Sequence, residues 1–173
     1  MSDVTIVALG DSTTAGTPGF KSPLEAPPDG AGDATSQYAY WLMRARHDWR
    51  VLNRGVNDIY QGRSAASVVR ELEAMYVAAF AARIPAVAGS IIPYDTAGAG
   101  ENARMRAVND WIRSYAAAHP REMVFCDTRA AVAAPGAPDR LAASPDGLHP
   151  SPEGYRRMAE ALDPAIACAL TLA

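Results

Sequence analysis

Lysine is nearly absent from this chain. Lys21 stands alone against 15 Arg, and 16 basic residues face 19 acidic ones over 173 positions, a formal charge of −3. The longest basic run is Arg156-Arg157. A nucleic-acid binder that gains its affinity by neutralising phosphates needs more clustered positive charge than this. Cysteine is scarce too: Cys126 and Cys168 are the only two, far apart in apolar segments, so they read as two buried reduced thiols rather than a stapled secreted scaffold. The three histidines, His47, His119 and His149, form no H-x-x-x-H spacing, and no C-x-x-C is present, so no metal site and no cofactor are expected. No window reaches the 18 or so uninterrupted apolar residues of a membrane span. Nor does a basic n-region precede an apolar stretch at the start, so no signal peptide is visible and a cytoplasmic location is expected.

What is present suffices for one core. Hydrophobic residues make up 49% of the chain, and although 36 residues are Ala, the larger apolar side chains that remain can close a single domain over residues 1–173. Residues 4–9 are a β-branched apolar run ended by Gly10, the pattern of a strand buried on both faces. A Pro- and Gly-rich stretch, 17–35, follows and suggests a functional loop. Ser36 then caps a predicted helix carrying Tyr38, Trp41, Leu42 and Ala45 at helical spacing, ending near Asp48. Residues 49–53 read as a second strand. Ser64 caps a helix with Val68, Leu72, Met75, Tyr76 and Phe80 on one face; 85–92 is a third strand, 102–118 a helix, 123–127 a fourth strand, and Ser151-Pro152 opens the last helix. Strands alternating with helices imply α/β architecture around a parallel sheet.

In such a sheet ligands bind beyond the carboxyl ends of the strands. Gly10-Asp11-Ser12 follows the first strand, which places Ser12 where a serine nucleophile can be presented on a strand-to-helix turn. Serine needs a base, and Asp146-Gly147-Leu148-His149-Pro150 supplies an imidazole with a carboxylate three residues before it. Gly147 permits the tight turn that brings the two together, and Pro150 keeps His149 out of the following helix. Plainer readings exist for each piece. Ser12 could be only a helix N-cap, and Asn57-Asp58 only a turn; His47 and His119 suit helix C-termini, and Trp41, Trp49 and Trp111 suit packing.

Taken in order, Gly10-Asp11-Ser12, Gly55-Val56-Asn57-Asp58 and Asp146-Gly147-Leu148-His149-Pro150 resemble the motif blocks of the SGNH, or GDSL-type, hydrolases. The resemblance spans nearly the whole chain. It implies a three-layer α/β/α sandwich with a flavodoxin-like parallel sheet, Ser12 as nucleophile, His149 as base and then acid, and Asp146 as the group that orients the imidazole. It also implies an oxyanion hole made from the Ser12 N–H, the Gly55 N–H and the Asn57 side chain. Family members carry one Gly after the second strand and a separate Gly-x-Asn-Asp after the third; here the two coincide at Gly55, as though a helix and a strand had been removed. Four strands instead of five are therefore expected, with either a rebuilt hole or one donor missing, and an uncovered edge that points to a homodimer or chain-swapped assembly.

The function so implied is a serine ester hydrolase for a small or short-chain acyl ester, of acetyl esterase, lipase or thioesterase type, working through an acyl-enzyme. The alternative is a catalytically impaired relative, or a flavodoxin-like module in which the loop from Ser12 to Thr17 holds a phosphate through hydroxyls and backbone N–H groups. The loops at 17–35 and 94–101 are expected to shape the pocket.

Overall fold

Three helix starts follow directly from capping chemistry. Ser64 accepts a hydrogen bond from the Ser67 N–H, Ser151 accepts one from the Gly154 N–H, and the Glu101 carboxylate reaches back to the Gly98 N–H at 2.7 Å. In a computed structural model, which describes residues 12–21, 31–45, 59 and 61–172, the elements run in chain order as follows. Helix α1 is Ser12–Ala15, and strands β1 (Phe20–Lys21) and β2 (Ala31–Gly32) pair antiparallel within the Pro/Gly-rich loop. Helix α2 is Tyr38–Ala45, α3 Ala65–Ala81, and strand β3 Ala86–Gly89. Then come α4 (Ala99–Ala118), β4 (Met123–Cys126), the short α5 (Thr128–Val132), the hairpin β5 (Ala133–Ala134) and β6 (Ala137–Leu141), and α6 (Pro152–Ala169).

Strands β3 and β4 pair in parallel, Ala86 opposite Met123 through Gly89 opposite Cys126, with α4 as the connection between them. Helix α6 packs on both strands, while α3 and α4 pack on one another and against β3 and β4 respectively. The fold is α/β, as the alternating pattern implies. The apolar spacing of α4 places Met105, Val108 and Ile112 in the core with at most 1% exposure, and Val68 and Leu72 of α3 join them. Burial of such a side chain contributes about 1.5–3 kcal/mol. The same magnitude accounts for Pro164 inside α6. A Pro in a helix interior costs about 3 kcal/mol, yet Leu162, Ala165 and Ile166 around it are all buried, and their packing carries the helix on to Ala169.

Several sequence expectations need correction. Ser36 does not cap α2; it ends a 3₁₀ turn, Ala34–Ser36, that Asp33 caps through the Thr35 N–H, and the α-helix begins only at Tyr38. Asp33 wins because its carboxylate sits two residues before the N–H it accepts from, the geometry short acidic side chains adopt most readily. The Pro-, Gly- and Ala-rich stretch after β4, whose composition reads as a loop, contains α5 and the β5–β6 hairpin. Cys168 lies on the exposed side of α6, whereas Cys126 is buried and donates its S–H to the Ala161 carbonyl at 3.3 Å. Burial, with the Asp127 charge adding to it, pushes the Cys126 thiol up to about 12. Native protein treated with iodoacetamide near neutral pH is therefore expected to modify Cys168 alone, and both thiols only in denaturant; peptide mapping checks this. The predicted strands at 4–9 and 49–53 and, with them, His47, Trp49, the four-strand sheet and the dimer drawn from it lie on or depend on positions outside the described residues.

Candidate active site

Ser12 is the first residue of α1, and its carbonyl accepts from the Gly16 and Thr17 N–H groups at 2.9 and 3.0 Å, closing a single helical turn behind the hydroxyl. Two buried tyrosines hold that turn from the other side. Tyr38 of α2 shares a 3.3 Å hydrogen bond with the Thr14 hydroxyl, and Tyr155 of α6 donates to the Thr17 carbonyl at 3.3 Å. Both phenols are fully buried and need a polar partner for the hydroxyl; here that partner is the segment bearing Ser12.

His149 comes from the loop before α6. Pro150 ends the loop, Ser151 caps the helix, and the imidazole is left 7% exposed. Its Nε2 lies 2.9 Å from Ser12 Oγ and its Nδ1 2.7 Å from Asp146 Oδ2. Asp146 Oδ1 meanwhile accepts from the backbone N–H groups of His149 at 2.8 Å and Leu148 at 2.9 Å. One carboxylate thus fixes both the ring and the chain that carries it. The turn between them requires Gly147, whose φ of +77° lies in the left-handed region. Partial burial works against the Asp146 charge, but the hydrogen bonds from His149 and Leu148 outweigh it and hold the carboxyl below its ordinary value.

With Asp146 ionised and facing Nδ1, the proton of a neutral imidazole sits on Nδ1, and Nε2 is left as the acceptor toward the Ser12 hydroxyl. Of the residues singled out in the sequence, Ser12, Asp146 and His149 come together in one hydrogen-bonded line. Gly55 and Asn57 lie outside the described residues. His119 stands apart, capping the C-terminus of α4 and meeting the Tyr115 carbonyl at 2.8 Å through Nδ1. Trp111 and Trp41 pack partly buried against the core. Among the described residues no group of three or more His, Cys, Asp or Glu could hold a metal ion, and no helix is long and apolar enough to cross a membrane.

Ser144 escaped the sequence reading. Its hydroxyl donates to the His149 carbonyl at 2.6 Å and accepts from the Gly147 N–H at 2.8 Å, so it closes the loop around Asp146 from inside. A Ser two residues before the Asp is a signal for such a turn, legible only once the loop is known to fold back on itself.

A parallel strand pair covered by helices, with a serine, a histidine and an aspartate aligned beside it, defines a hydrolase-like α/β protein. The profile of the GDSL-like lipase/acylhydrolase family matches residues 8–157, and the chain belongs to that family, which places it among the ester-type hydrolases. Solved structures agree on the fold. A GDSL-like lipase from Bacteroides thetaiotaomicron is similar at TM-score 0.68 and 20% identity, over 96% of this chain and 92% of that one. A carbohydrate acetylesterase family member from Sinorhizobium meliloti is similar at 0.64 and 15%, over 96% and 99%. An acetyl esterase mutant determined with an acetate ion is similar at 0.61 and 22%, over 98% and 100%. No curated protein matches.

Proposed function

We propose that the protein hydrolyses a small or short-chain acyl ester through a covalent acyl-enzyme, with Ser12 as nucleophile, His149 as general base and then acid, and Asp146 as the group that orients the imidazole. The observation that carries this reading is the unbroken chain from Ser12 Oγ to His149 Nε2 at 2.9 Å and from His149 Nδ1 to Asp146 Oδ2 at 2.7 Å. As Ser12 Oγ attacks the ester carbonyl, its proton passes to Nε2, and the imidazolium is stabilised by the Asp146 carboxylate. The same proton then goes to the leaving alcohol, which departs and leaves the acyl group on Ser12. Water enters, loses a proton to Nε2 and attacks the acyl carbonyl; the acid leaves and Ser12 recovers its proton.

The negative charge that forms on the carbonyl oxygen is assigned to the Ser12 N–H, the Gly55 N–H and the Asn57 side chain; losing one such donor typically costs about 100- to 1000-fold in kcat. Likeness to an acetyl esterase and to a carbohydrate acetylesterase family member supports a small acyl group. A phosphate-holding loop would need no histidine aligned from the far end of the chain, so nothing in the geometry favours that alternative.

A fluorophosphonate probe tests the reading. One label per chain on the peptide containing Ser12 is expected, along with faster turnover of p-nitrophenyl acetate than of long-chain p-nitrophenyl esters. Labelling elsewhere, or none, overturns the assignment.

A further inference from the structure

The loop that carries Asp146 and His149 has no regular secondary structure of its own between Leu141 and Ser151, yet its imidazole must be placed within tenths of an ångström of Ser12. Its support comes from a different part of the chain. The segment 90–94 leaving β3 is buried throughout, and side chains from other elements fix its backbone. Asn109 of α4 clasps Ile91 at two points, accepting from its N–H at 2.6 Å and donating to its carbonyl at 2.9 Å. The Ser90 N–H donates to the Cys126 carbonyl at 2.9 Å, and the Thr128 hydroxyl donates to the Ser90 carbonyl. Asp95 is the next residue beyond this anchored stretch.

From there Asp95 holds the histidine loop at two places. Its backbone N–H donates to the Gly147 carbonyl at 2.6 Å, between Asp146 and His149, and its Oδ1 accepts from the Leu141 N–H at 2.9 Å, where β6 ends and the loop begins. The middle of β6 is also tied down. Asp139 accepts from the buried Arg129 guanidinium at 2.7 Å and from Arg106. The loop is therefore a span fixed at Leu141 and Gly147 by one residue of a rigid neighbouring strand exit.

We infer that Asp95 is a positioning residue for the reaction: it sets the distance between His149 and Ser12 without touching substrate or either reacting atom. The inference rests on the reading of Ser12 and His149 given above. Loss of the side chain leaves the Leu141 N–H without this acceptor and loosens the start of the span, while the pairing of Leu141 with Ala133 and the backbone bond to Gly147 remain, and a drift of about 1 Å at a reacting pair costs about 100-fold. The clamp acts on the His149–Ser12 distance, so the loss is expected in kcat.

The test uses the full chain and p-nitrophenyl acetate, with Ser12→Ala measured alongside. Asp95→Ala is expected to lower kcat roughly 10- to 100-fold with KM changed less than about threefold, and to broaden the downfield proton resonance of the His149 Nδ1–H. Asp95→Asn keeps an oxygen that accepts from Leu141 and is expected to restore most of kcat and the sharp resonance. If Asp95→Ala does not accumulate as folded protein, Asp95→Glu, whose longer arm displaces Leu141, is expected to show the same split. Wild-type kcat in Asp95→Ala or Asp95→Glu, a loss confined to KM, or an Asn variant as impaired as the Ala variant overturns the inference. Activity surviving in Ser12→Ala is a different failure: it removes the nucleophile assignment, and the positioning role with it.

Discussion

Replacing Ser12 with Ala is expected to reduce kcat for p-nitrophenyl acetate by about 10⁶-fold while the circular dichroism spectrum and thermal midpoint stay close to wild type. The fold tolerates the change because the Ser12 hydroxyl supports no buried structural contact in the described residues other than the one to His149 Nε2. The α1 turn is held instead by the Ser12 carbonyl and by the two tyrosines at Thr14 and Thr17. Chemistry does not tolerate it, because no other hydroxyl hydrogen-bonds to Nε2 among the described residues. Turnover within about 100-fold of wild type would move the nucleophile elsewhere.

Asp146→Asn is expected to cost about 10⁴-fold in kcat, less than His149→Ala, and for a specific reason. The Asn oxygen can keep the two backbone bonds that Asp146 Oδ1 accepts from Leu148 and His149, which turns the amide NH₂ toward His149 Nδ1. A donor facing Nδ1 drives the imidazole proton to Nε2, and a protonated Nε2 cannot accept from Ser12. Geometry survives and the tautomer is wrong. Crystallography of the variant showing an unchanged loop, together with the kinetic loss, would separate this from collapse of the loop; a loss below tenfold would refute it.

The same carboxyl has a signature in acid. Its folded-state pKa is depressed from 3.8, so the stability it contributes is present above that value and is lost as pH falls through the depressed one. Wild type is therefore expected to lose this contribution, relative to Asp146→Asn, as pH falls below about 4, and chemical denaturation at a series of acid pH values checks it.

The sequence revealed the elements whose signals are local. Ser64 and Ser151 mark the starts of α3 and α6 because a cap and the N–H it satisfies lie within three residues of each other. The inward faces of α3 and α4 follow from 3.6-residue spacing. Asp146 and His149 were legible for the same reason: three residues separate them, and a glycine between them announces the turn. The β5–β6 hairpin was missed because Ala and Pro dominate it and neither favours a strand. Its one signal was Pro135-Gly136, with Gly136 at φ +74°, the positive φ that a Pro-Gly turn places on its second residue. The exposure of Cys168 has no sequence signal, because Ala and Leu around it make every face of the helix end look apolar. Asp95 had no local signal at all; its side-chain partner is 46 residues further along, and only the folded chain brings the two together.

Helix α6 bears on both halves of the reacting pair, since Ser151 caps it two residues after His149 while Tyr155, one turn on, grips the Thr17 carbonyl behind Ser12. The two atoms that must meet are 137 residues apart in sequence, and α6 is the post that joins them. Long-range closures of this kind form after local structure during folding. Hydrolytic activity is consequently expected to appear late when the chain folds. A catalytic assay therefore reads the docking of α6 as well as the chemistry at Ser12.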